Sequence, residues 1–271
     1  MTTVQGAKVP VALLTGGAAI TLYLLFIGLP LIALLFRALE QDSFLEAMTG
    51  AHAMTGLRLS LFTSAISMGV VVAIGTPFAY LLARVDRPVV RLLDTLVELP
   101  LVLPPVVAGL AMLMAFGRQG FLGKWLEPLG VSIPFTVTAV VFAQMFVAAP
   151  FYIRSLRLGF QAVPRELEEL SETLGVSPLR TFIRITLPLV RPSLLGGLAL
   201  AWARAISEFG ATMMFAGNFP GRTQTMPLAI LTALESDLSV ALAMAVLLTA
   251  VSVGILVALG LLGVAYRRDS Q

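Results

Sequence analysis

The chain contains no cysteine, one histidine and very little charge. Without cysteine there is no disulfide framework, no thiol catalysis and no cysteine-built metal site. A lone histidine, His52, gives no cluster for zinc or haem, and it reads as a solvated loop residue without a role. Charged residues make up 12% of the 271, and 58% are hydrophobic. Soluble domains carry about 25% charged residues, so a membrane protein is implied. Mean hydropathy is +0.95. The net charge of +3 gives no support to nucleic-acid binding. No GxxxxGK[ST] string occurs, so the chain has no P-loop for ATP, and energy must come from a partner or a gradient. No nucleophile–base pair, carboxylate dyad or metal cluster stands out, so nothing argues for an enzyme or a cofactor.

What the chain has instead is a series of apolar runs. Residues 11–36 are uncharged between Lys8 and Arg37, too long for a signal peptide and long enough to stay in a bilayer. Further spans are expected over 58–83, 92–116, 135–153, 193–215 and 238–265. Gly75 and Pro77 predict a tolerated break in the second span. Pro100, Pro104 and Pro105 cannot share one straight helix, so an interfacial helix ending near Leu99 and then a kinked span are expected. Asn218, Pro220 and Gly221 mark a turn, and Thr225 with Pro227 could open a short interfacial helix through Leu234.

Basic residues divide unequally between the two sides of this topology. With the N-terminus inside, one side holds Lys8, Arg84, Arg87, Arg91, Arg154, Arg157, Arg165, Arg180, Arg184, Arg191, Arg267 and Arg268. The other holds only Arg37, Arg58, Arg118, Lys124 and Arg222. The excess marks the cytoplasmic face. The expected fold is therefore an all-α membrane protein of six transmembrane helices with both termini cytoplasmic. It divides into a first helix and external loop (1–54), a core (55–265) and a tail (266–271).

The longest polar segment, Val163 to Pro188, falls between the fourth and fifth spans. Pro164 suits a first helical position, and Glu166, Glu168 and Glu169 favour the positive end of that helix. Gly175 supplies the left-handed residue that ends it. Ser177 as N-cap and Pro178 at the first position then start a second helix. Leu167, Leu170 and Leu174 share one face of the first helix. Leu179, Phe182 and Ile183 share one face of the second, with Arg180 and Arg184 elsewhere on it. Such a unit suits a partner's groove, although an ordinary loop with two amphipathic turns reads similarly.

Within the fifth span, Arg204, Glu208 and Thr212 recur every four residues and are expected on one helix face. They read either as a pair filling the bundle interior or as a polar stripe along a water-filled path; the two are compatible. Asp94 and Glu98 read as favourable charge near a helix N-terminus. Gly196, Gly197 and Gly210 are expected at close helix contacts.

The spacing of Glu169, Gly175, Ile185, Leu187 and Pro188 resembles the "EAA" loop of binding-protein-dependent ABC transporter permeases. Leu170 and Ser171 stand where that family usually has two alanines. The resemblance extends over nearly all of 55–265. Within it, VELPLVLPPVVAGLAML and ISEFGATMMFAGNFPGRTQTMPLAI look like the molybdate or tungstate branch, with sulfate permeases as close cousins. It implies that Glu169, Gly175, Ser177, Pro178, Arg180, Ile185 and Pro188 form a helix coupled to two cytoplasmic ATPase subunits. It further implies a second copy of the chain, an extracytoplasmic substrate-binding protein, lipid around an inner-membrane location, and an oxyanion cargo. Molybdate is the leading expectation, with sulfate, thiosulfate or tungstate as alternatives. A gradient-driven transporter acting alone, or an intramembrane enzyme, would need no such paired cytoplasmic helices.

Overall fold

The computed structural model describes the backbone of residues 8–269 and the side chains of 16–263; the side chains of Lys8, Arg267 and Arg268, used in the charge count, lie outside these. The described residues are helical, with no strand. In chain order the helices are α1 (Lys8–Leu39), α2 (Phe44–Thr49), α3 (Ala51–Arg84), α4 (Pro88–Val102), α5 (Pro105–Phe116), α6 (Gly123–Leu126) and α7 (Val137–Ala162). They continue as α8 (Arg165–Thr173), α9 (Pro178–Thr181), α10 (Leu187–Leu189), α11 (Arg191–Ile206), α12 (Gly210–Ala216), α13 (Met226–Ser236) and α14 (Leu238–Asp269). Between α9 and α10 the chain makes a π-helical turn over Phe182–Thr186.

Four helices, α1, α3, α7 and α14, are long and apolar enough to cross a membrane, and two bent pairs could each serve as one further span. The first pair is α4 and α5, which meet at 118°; the second is Pro178–Leu189 and α11, at 70°. The proline cluster acts as expected, since the residues before Pro104 and Pro105 leave helical geometry. The helix expected to end near Leu99 is α4, which runs to Val102. At Pro77 the expectation fails: α3 continues unbroken through Gly75 and Pro77. Gly75 packs closely on α7 there, where an added Cβ would sit 3.1 Å from Tyr152 and 3.2 Å from Ile153. His52 is exposed but occupies the first turn of α3, not a loop.

The core is the packing of α3 and α11 on α7, around Met68, Tyr152, Leu156 and Phe160. A second cluster joins α12 to α5 and α7 through Phe215, Met112 and Val147. At roughly 1.5 Å per residue, α5 and α11 are each shorter than the ~30 Å apolar layer. Of these two short helices, α11 carries Arg204. α1 packs against α14 and leaves Leu22, Tyr23 and Phe26 largely exposed, as suits a helix in lipid.

A small-residue stripe on α3 went unnoticed in the sequence. Ser60, Thr63, Ser64 and Ser67 recur at i, i+3, i+4 and i+7, and all are fully buried. Ser67 donates to Gln144 Oε1 (3.1 Å), Ser64 accepts from Trp202 Nε1 (3.0 Å), and Ser60 accepts from the Met226 N–H (2.7 Å). The stripe therefore ties α3 to α7, α11 and α13. Of the three glycines expected at close contacts, a Cβ added at Gly197 would sit 2.7 Å from Ser155 and one at Gly210 3.0 Å from Pro105, but Gly196 has open space.

Candidate functional site

The polar segment folds as two short helical pieces about Gly175, the second interrupted by the π-helical turn rather than running evenly to Pro188. Gly175 has φ +77° with nothing near it, so glycine is required there for backbone conformation and not for space. Pro164 sits just before α8, and the Ser177 hydroxyl makes no capping bond although Pro178 opens α9 as expected. Inside the corner, the Ser171 and Thr181 hydroxyls bond at 2.8 Å and are both buried. Outside it, Leu170, Leu174, Leu179 and Ile183 form an exposed apolar crest. Phe182 departs from the expected face: it turns inward to meet the Tyr80 ring edge-on at 5.1 Å. Glu169 and Arg180 are exposed, while Ile185 and Pro188 are half-buried.

The carboxylate that anchors this corner is Glu168, which sequence reasoning treated as one of several terminal charges. Its Oε1 pairs with Arg84 Nη2 at 2.9 Å and accepts from Thr186 Oγ1 at 2.7 Å. Tyr80 donates to its Oε2 at 3.4 Å. Arg84 also donates to the Val163 carbonyl at 3.2 and 3.3 Å, beyond the end of α7. One largely buried ion pair thus joins α3, α7, α8 and the π-helical turn. The π turn carries one residue more per hydrogen-bonded ring than an α-helix, and it presents Thr186 to Glu168.

Asp94 and Glu98 correct the sequence reading. They lie well inside α4, not at an N-terminus, and each meets an arginine of α7: Asp94 forms a close pair with Arg157, and Glu98 stands 3.9 Å from Arg154. A cross-helix ladder, rather than a helix dipole, explains them.

The fifth-span residues are only partly brought together. The helix expected over 193–215 breaks at 207–209, so Arg204 lies on α11 and Thr212 on α12, with Glu208 in the gap. Glu208 is fully buried; one carboxylate oxygen pairs with Arg204 Nη2 at 2.6 Å, and the other accepts the Ala211 N–H at 2.8 Å. That second bond satisfies one of the free N–H groups opening α12. The carboxylate itself therefore stabilises the break. The Arg204 side chain is 27% exposed, whereas the Thr212 hydroxyl is buried without a partner. Among the described residues no group of three or more histidine, cysteine or carboxylate side chains is placed to hold a metal.

Residues 75–268 match the family described as binding-protein-dependent transport system inner membrane component. A probable transport system permease protein from Clostridium pasteurianum is 46% identical over 191 residues, 70% of this chain and 67% of that one. The molybdenum transport system permease protein of Mycobacterium bovis is 40% identical over 237 residues, 88% of this chain and 89% of its own. Among solved structures, a bacterial alginate ABC transporter in complex with an alginate-bound periplasmic protein superposes with a TM-score of 0.72. The match covers 93% of this chain and 92% of that one, and at 17% identity it shows the fold alone.

Proposed function

This chain belongs to the family of binding-protein-dependent transport system inner membrane components, and on that premise we propose that it is the permease subunit of a molybdate importer. It is a multi-pass inner-membrane protein and not itself an enzyme. Two copies, each with six spans, five of them in the core region 55–265, would enclose a path in the lipid. Two ATPase subunits would dock inside and a substrate-binding protein outside, with both termini and the segment 163–188 cytoplasmic.

The exposed apolar crest around Gly175, braced from behind by Arg84–Glu168, is the observation that carries this reading. Three exposed leucines and an isoleucine on a braced corner are unfavourable in water and become favourable when a partner's groove covers them. Glu169, Ser177, Pro178 and Arg180 border the crest and would meet the partner, while Ile185 and Pro188 fix its far end. Arg204 and Glu208, with Thr212 beside them, would border the path as a neutralised pair, able to pass a dianion without trapping it.

The test is uptake by the reconstituted permease, ATPase and binding protein. ATP-dependent accumulation of labelled molybdate, weakly competed by sulfate, is expected. Preferential uptake of sulfate would assign the chain to the sulfate branch that its ELP segment also resembles. Uptake independent of the ATPase would overturn the reading in favour of a gradient-driven carrier.

A further inference from the structure

A cavity of about 630 Å³ lies between the loop that follows α5 and the turn that follows α12. Arg118, Arg222, Ser132, Phe135, Thr136 and Leu113 line it, and no carboxylate does. Both arginines are exposed, and neither enters an ion pair among the described residues. Glu127 lines a neighbouring space of about 270 Å³ that shares Arg118 and Ser132.

The walls of this cavity are fixed by unusual backbone. Phe135 has φ +61°, the single positive value outside glycine among the described residues. A bulky side chain rarely adopts that conformation, and such outliers persist only where surrounding structure enforces them. Here the Phe135 N–H donates to the Phe215 carbonyl at 3.2 Å, and its ring meets Phe219 edge-on. The Phe219 carbonyl in turn accepts the N–H groups of Arg222, Thr223 and Gln224 at 3.0, 2.9 and 3.1 Å. Thr136 is already committed, since its hydroxyl donates to the Ile133 carbonyl and accepts from the Ala139 N–H. Ser132 and the two guanidinium groups remain as donors.

We propose that this cavity is a transfer site for a tetrahedral oxyanion, holding it between the binding protein and the Arg204–Glu208 pair. The proposal rests on the reading above, which places both loops outside the membrane. Guanidinium forks match the paired oxygens of such an anion, and no carboxylate in the lining competes for them. Phe215, whose carbonyl holds Phe135, and Glu208 are seven residues apart, roughly 10 Å at helical rise, so the cavity and the pair stand near the two ends of α12.

The test uses the complete transporter in liposomes and the double variant Arg118→Gln/Arg222→Gln. Both side chains are exposed, so assembly should be unaffected. Molybdate moved per ATP hydrolysed should fall about tenfold, as expected on losing charge-assisted bonds. The half-saturating concentration of loaded binding protein should stay constant, and Arg118→Lys/Arg222→Lys should retain more transport than the glutamine pair. A raised half-saturating concentration with full maximal uptake would assign the arginines to docking the binding protein and overturn the proposal. So would unchanged uptake in the glutamine pair. If the wild type carries sulfate instead, the molybdate reading falls, and the same two variants measured with sulfate still decide the cavity.

Discussion

Arg84 and Glu168 lie 84 residues apart, whereas Arg204 and Glu208 lie four apart, yet each pair holds a carboxylate out of water. The distant pair is backed at both ends, by the Val163 carbonyl on one side and by Thr186 and Tyr80 on the other. The local pair is backed only at Glu208, through Ala211, and leaves Arg204 partly open. Redundant bonding makes the first a rigid joint between four segments. A single bond on a half-exposed arginine makes the second a place where an anion could compete. Chemically similar pairs thus differ in what they fix, because one is closed to solvent on both partners and the other on one.

The contrast breaks most visibly at Glu168. Glu168→Ala leaves the Arg84 guanidinium largely buried without a counter-charge, held only by the Val163 carbonyl and the Tyr80 ring face, and a loss of about 3–5 kcal/mol is expected in detergent unfolding, with coupled uptake abolished. Glu169→Ala, one residue on and exposed, should change stability by less than about 0.5 kcal/mol while still weakening stimulation of the ATPase. Equal unfolding curves for the two would remove the joint.

A double-mutant cycle on the local pair sharpens the other side. Arg204→Ala strands the Glu208 carboxylate, and Glu208→Ala also uncaps α12, so the second should cost more. Their coupling should reach about 1–3 kcal/mol, and replacing both should be milder than the sum. Additive effects would show that the pair does not interact, and normal oxyanion uptake in all three variants would take it off the path.

Gly175→Val should cost about 1–2 kcal/mol, because the site is open and only the left-handed backbone resists. The permease should insert normally and fail to stimulate ATP hydrolysis; normal stimulation would make the segment a passive linker. The smallest effect belongs to the exposed end of the α4–α7 ladder. Arg154→Ala should lie below about 1 kcal/mol, and Arg157→Ala above it, as thermal unfolding of the two would report.

Local chemistry was legible in the sequence and long-range chemistry was not. Gly175, Pro178 and the triple proline announce their turns because their backbone constraints act where they stand. Glu168 stayed hidden among Glu166 and Glu169, since no spacing rule links it to an arginine closing a span 84 residues earlier. The Ser60–Ser67 stripe had a readable period, masked by the apolar residues around it. The four-residue spacing of Arg204 and Glu208 foretold their pairing correctly while implying a continuous helix. That break is stabilised by the Glu208 carboxylate reaching forward to the Ala211 N–H, a local bond that no proline or glycine within 207–209 signals.

The π-helical turn at Phe182–Thr186 has a consequence for numbering along the chain. It stores one surplus residue between the crest and the bundle, so the two are out of phase with a plain α-helix by roughly 100°. Removing any one residue from 182 to 185 would discharge that phase. Thr186 would then rotate away from Glu168, and α11 would be wound in with its polar face displaced. A substitution in this stretch alters one side chain, but a single deletion would alter the bearing of every residue from Thr186 to Ile206.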